Sequence, residues 1–106
     1  MISITVVSDD HHYSSLTCTG HAEYDEYGLD IVCAAVSAVV FGLNNAMDEM
    51  LGGIDTTIED NLIKIEIPTP DEKSDEIMTV GLIQLKTIQE SYGDHIRIKN
   101  KRGKTK

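Results

Sequence analysis

"DIVCAAVSAVVFGLNNAMDEMLGG", residues 30–53, is the stretch on which the fold turns. It opens on an aspartate, a residue type whose side chain caps helix starts, and closes on two glycines, which end helices. Residues 31–43 are apolar almost all round, and beyond Leu43 the apolar set narrows to Ala46, Met47, Met50 and Leu51. That narrowing leaves a stripe of 3.6-residue period. The pattern predicts one helix, buried through its first half and amphipathic through its second.

Strand patterns flank this helix. In "ISITVVS", residues 2–8, Ile2, Ile4 and Val6 alternate with Ser3 and Thr5, as a half-buried strand requires. Asp9–His12 is a polar turn and "YSSLTCTG", residues 13–20, a second strand, so the two form a hairpin. "AEYDEYG", Ala22 to Gly28, has no period and reads as a loop. After Gly52 and Gly53, "IDTTIE" and "NLIKIEI" form another hairpin turning at Asp60–Asn61. A second helix follows, capped at Thr69 or at Ser74, with Ile77, Met78, Leu82, Leu85 and Ile88 as its apolar set and a stop near Gly93. His95–Lys99 is a short final strand. The order ββαββα, with a possible last β, suits an α+β two-layer sandwich in which two helices cover an antiparallel sheet.

At 106 residues the chain is one domain, large enough to bury roughly two-thirds of its unfolded surface. Residues 1–98 form this domain and residues 99–106 a basic tail. No uninterrupted apolar run reaches the ~20 residues that span a bilayer, and the N-terminus lacks the pattern of a signal peptide. A cytoplasmic location is expected. Cys18 and Cys33 suit that compartment as thiols better than as a disulfide framework. The net charge of −9 is unevenly spread: all 18 acids and four bases precede residue 99, giving −14, while the last eight residues carry five bases. The acidic body speaks against nucleic acid as the main ligand, because phosphate binding needs a basic face. The tail reads as a frayed terminus.

With Asp30 as cap, Cys33 falls in the first helical turn, where backbone N–H groups lack intrahelical acceptors and the helix end carries about half a positive charge. That setting stabilises a thiolate, and the same N–H groups can hold the oxyanion of an acyl-transfer intermediate. His21 ends the second strand, and the loop of residues 22–28 allows it to fold back onto Cys33; a Cys–His pair is the minimal unit of cysteine nucleophilic catalysis. The plain alternative is a core cysteine in an Ala/Val helix and a structural histidine. Asp30 either caps alone or also orients His21. Ser37, one turn after Cys33, either bonds within the site or back to its own helix. The loop is a lid or an ordinary connection. A zinc site on Cys18, His21 and Cys33 is disfavoured, because Cys18 and His21, three apart on a strand, point to opposite faces.

Gly20, His21, Ala22, Gly28 and the unbroken run Asp30-Ile31-Val32-Cys33-Ala34-Ala35-Val36-Ser37 resemble the signature of the ribosomal-processing cysteine protease family, Prp. The resemblance implies a homodimeric α+β protease of bacteria that removes an N-terminal extension from the precursor of the large-subunit ribosomal protein L-twenty-seven. It implies His21 and Cys33 as catalytic residues, with Asp30 and Ser37 beside them. It further implies that the loop of Ala22, Glu23, Tyr24, Asp25, Glu26, Tyr27 and Gly28 orders around the substrate. No metal or other cofactor and no membrane are implied. A rival of a different class is a non-catalytic ribosome-assembly or substrate-binding module that keeps the same fold.

Overall fold

Alternating Ile2, Ile4 and Val6 put one apolar face on the first strand, and the rest of the sheet is built to match it. The computed structural model describes residues 1–20 and 29–103. Its elements are β1 (Ile2–Ser8), β2 (Tyr13–Thr19), α1 (Leu29–Leu51), β3 (Asp55–Glu59), β4 (Leu62–Glu66), α2 (Glu72–Tyr92) and β5 (Ile96–Arg102). The α+β class and the expected order, final strand included, are observed. The five strands lie in the order β3-β4-β2-β1-β5.

The expectation of a wholly antiparallel sheet is corrected. β1–β2, β2–β4 and β3–β4 are antiparallel, but β5 runs parallel to β1. The reason is the connection. α2 has 21 residues and, at about 1.5 Å per residue, carries the chain back along the sheet, so the next strand starts from the end where β4 began. A hairpin would have reversed it.

For Lys99 to Arg102 the reading as a frayed tail is also corrected, while residues 104–106 lie outside the described residues. Lys99, Asn100, Lys101 and Arg102 pair with Thr5, Val6, Val7 and Ser8. Ser8 Oγ donates to Asn100 Oδ1 at 3.0 Å, the Gly103 amide donates to the Ser8 carbonyl at 2.6 Å, and Arg102 pairs with Asp10. Lys and Asn are poor strand formers, yet a neighbouring strand with unpaired backbone groups recruits them.

Both helices pack on one face of the sheet. Val32, Val36, Val40, Leu43 and Met47 of α1, with Met78, Leu82 and Leu85 of α2, are buried against Ile2, Ile4, Val6, Leu16, Ile65 and Ile96. Ile31–Leu51, 21 residues, is by length and composition a helix that could cross a membrane. The count of uninterrupted runs missed this because Ser37, Asn44 and Asn45 break the run without breaking the average. In this fold its buried stripe belongs to the core. The helices meet closely at Gly81, where a Cβ would lie 2.7 Å from Leu43 Cδ2.

α2 is capped by neither expected residue. Asp71 is the cap: its side chain accepts from the Ser74 amide at 2.8 Å, while the Asp71 amide donates to Ser74 Oγ at 2.9 Å. This reciprocal capping box satisfies two otherwise open donors. Asp75, in the same turn, accepts from the Tyr13 amide at 3.0 Å and contacts His12 Nδ1 at 2.7 Å, tying the β1–β2 hairpin to the helix start.

Candidate active site

Where α1 starts decides what Cys33 meets. The helix begins at Leu29, so Asp30 is its second residue rather than its cap and Cys33 its fifth. The amide of Cys33 is therefore one turn inside the helix. Its thiol is not, because helical side chains tilt toward the N-terminus and cover the preceding turn. The first-turn N–H groups that lack intrahelical acceptors lie under that position. Cys33 is half-buried and packs against the core, beside the fully buried Val32. The Val32-Val36-Val40 stripe is what holds this end of the helix to the sheet.

Ser37, exposed on the next turn, lines a cleft of about 270 Å³ together with Phe41 of α1, Cys18 and Gly20 at the end of β2, and the β3–β4 turn. That turn contributes Asp60 and Asn61, with Ile58 and Ile63 as apolar walls. The cleft thus joins carboxylates, hydroxyl, amide and apolar side chains at the end of the sheet where the chain leaves for His21.

Gly20 holds that exit point. Its φ is +76°, and a Cβ there would lie 2.4 Å from the Met1 carbonyl oxygen. Only glycine fits both the conformation and the space. Asn61, at φ 64°, accepts the Gly20 amide on its carbonyl oxygen at 3.1 Å. A left-handed asparagine in a tight turn is the form this residue type tolerates best among those with a side chain.

The two cysteines differ. Burial pushes the Cys18 thiol up to about 11, and the nearby charge of Cys33 adds to the effect. Cys18 is therefore protonated at neutral pH and unsuited to be a resting nucleophile. Cys33, the other cysteine, is the candidate that the sequence singled out.

His21 and the loop residues Ala22, Glu23, Tyr24, Asp25, Glu26, Tyr27 and Gly28 lie outside the described residues. The structure brings Ser37 and Gly20 to one cleft, with Cys33 a turn away from Ser37. Reading by residue type missed Cys18, Phe41, Asp60 and Asn61 as members of the cleft. The only sequence signal for the last two was the turn itself. It also missed the partner of His12, since Asp75 is 63 positions away. A larger cavity, about 640 Å³, lies instead between α1 and α2, lined by Ala38, Gly42, Ala46, Met50 and Val80 among others. It carries no nucleophile, so chemistry favours the smaller cleft.

Comparison with known proteins shows the family to which the chain is related. The family model described as cysteine protease Prp matches residues 1–97. The chain is 37% identical over 106 residues to the ribosomal processing cysteine protease Prp of Staphylococcus aureus (strain Mu50 / ATCC 700699), covering 95% of this chain and 100% of that one. It is 34% identical over 107 residues to the protein of the same name from Bacillus subtilis (strain 168), covering 92% and 96%. The fold superposes with a TM-score of 0.83 on the S. aureus processing protease Prp in complex with a covalently linked product peptide, at 33% identity over 95% of this chain and 100% of that one. SMU.848 from Streptococcus mutans gives a TM-score of 0.81 at 28% identity over 97% and 96%.

Proposed function

The chain belongs to the cysteine protease Prp family, and we propose that it is a cysteine endopeptidase that removes the N-terminal extension from a large-subunit ribosomal protein precursor of the L-twenty-seven type. Cys33 is the nucleophile and His21 its base. The observation that carries this reading is the position of Cys33 over the open N–H groups of α1, one turn from a cleft that begins at Gly20, the residue before His21.

Cys33 Sγ attacks the scissile carbonyl carbon while His21 takes the thiol proton. The resulting oxyanion is held by first-turn N–H groups of α1. On collapse, His21 gives the proton to the leaving amine, and a thioester remains on Cys33. His21 then draws a proton from water, the hydroxide attacks the thioester, and the new carboxyl end leaves as Cys33 is restored. Asp30 orients His21, and Ser37 holds the peptide in the cleft. Residues Ala22 to Gly28 contact the substrate in this reading.

In this reading the enzyme works in the cytoplasm as a homodimer. The apolar groove of α1 and α2, with exposed Met50, Val80 and Ile83 at or near it, supports a surface that a second copy covers. The acidic body suits a basic ribosomal substrate.

The test is incubation of the extended precursor with the wild type and with Cys33→Ala, read by intact mass. Loss of the extension with the wild type alone is expected. If neither cleaves while the precursor is intact and bound, the protein is the non-catalytic binding module instead.

A further inference from the structure

Cys18 takes no part in the proposed reaction, yet it lies on the face of the sheet that packs on the same core as Cys33. In β2 it sits in register between Ile4 of β1 and Ile63 of β4, in the row of side chains that the helices cover. Cys33, on α1, packs against the same core cluster. Ser37, one turn along from Cys33, shares a cleft with Cys18. Cys33 also contributes to raising the Cys18 thiol, in keeping with that placement. A nucleophilic cysteine next to a second thiol is the arrangement of a redox pair.

We propose that Cys18 is the resolving thiol of Cys33: a hydroperoxide oxidises Cys33 to a sulfenic acid, and Cys18 captures it as a disulfide that switches the protease off reversibly. In the first step the Cys33 sulfur attacks the outer peroxide oxygen. The O–O bond breaks, sulfur is oxidised by two electrons, and the peroxide is reduced to water or an alcohol. In the second step the Cys18 sulfur attacks the Cys33 sulfur, the S–O bond breaks, and hydroxide leaves with the Cys18 proton as water. Capture protects the enzyme, because a sulfenic acid left uncaptured goes on to sulfinic acid, which ordinary thiols do not reduce. A dithiol returns both cysteines to their starting state.

The proposal rests on Cys33 being the nucleophile, so its test reads chemistry apart from turnover. Reduced full-length protein is treated with hydrogen peroxide and its intact mass taken without reductant. A loss of about 2 Da, with residues 18 and 33 cross-linked in a Glu-C digest, is expected for the wild type. Dithiothreitol then restores precursor cleavage to the level of the reduced sample. Cys18→Val, compared with its own reduced form, gains oxygen atoms instead and does not recover. Cys18→Ser provides the same comparison if the valine variant does not fold. Oxygen gain in the wild type without the hydrogen loss overturns the proposal, as does full recovery of both Cys18 variants. A reduced wild type that forms the disulfide but never cleaves precursor overturns the protease reading and leaves the redox pair standing.

Discussion

The Gly20 amide donates to the Asn61 carbonyl oxygen at 3.1 Å, joining the end of β2 to the β3–β4 turn. The residue that follows Gly20 is the proposed catalytic base, so this bond and the Met1 carbonyl together define where the chain departs toward it. Gly20→Ala puts a Cβ 2.4 Å from Met1 O in a left-handed conformation. Backbone there must shift, and strain of this kind costs about 1–3 kcal/mol. Misplacement of a catalytic group by about 1 Å lowers rate on the order of 10²-fold. We expect both effects, measured by thermal melting and precursor cleavage. Wild-type cleavage by a folded Gly20→Ala protein would show that this anchor does not position the base.

Asp30→Asn separates the orienting role of Asp30 from its place in the first helical turn. A carboxylate at a helix start stabilises by about 0.3–1 kcal/mol, so melting changes little. Turnover should fall at least about tenfold with KM nearly unchanged, because an imidazole without its orienting carboxylate loses the productive tautomer. Unchanged kcat would leave Asp30 with the helix alone.

His12 supplies a pH dependence far from the site. Its hydrogen bond with Asp75 raises its pKa, outweighing partial burial, and the charges of Asp75, Asp9 and Asp71 act in the same direction. A raised value in the folded state means the stabilisation is full below the ordinary histidine value of about 6.5. It is lost as pH rises through the higher folded-state value. The melting-temperature gap between wild type and His12→Gln should therefore be larger at ~pH 5.5 than at ~pH 9. An equal gap at both would mean the pair carries no charge.

Gly81→Ala sets two effects against each other. Alanine gains about 1 kcal/mol of helix propensity. Its Cβ, however, meets Leu43 Cδ2 at 2.7 Å and Cδ1 at 2.9 Å, and Leu43 is held in the core. Overpacking costs about 1–3 kcal/mol, so a net loss of about 1 kcal/mol is expected in urea unfolding. Adding Leu43→Val should recover part of it; no recovery would place the strain elsewhere.

Removal of residues from Lys99 onward tests the strand that residue type concealed. Four residues of the parallel ladder beside β1 are lost. At about 0.5–1.5 kcal/mol for each hydrogen bond, the melting temperature should drop by several degrees. An unchanged melt would return these residues to the role of a tail.

Local rules were enough for most of the elements. Alternation of Ile2, Ile4 and Val6 marked β1, and the apolar run closed by Gly52 and Gly53 marked α1. They failed wherever the deciding group was distant. Asp71 could not be told from Thr69 or Ser74 as the cap until the helix packed, and Asp75 gave no sign of His12.

By itself, the sequence determined the class of fold, the order of elements and the segment that carries Cys33, because periodicity, capping residue types and glycines act over a few positions. Only the tertiary structure decided that β5 lies parallel to β1, that Cys18 shares a cleft with Ser37, and that Asn61 holds Gly20. Those depend on which elements meet. Meeting is settled by burying the Val32-Val36-Val40 stripe on the sheet and satisfying edge hydrogen bonds, two requirements that belong to the whole chain at once.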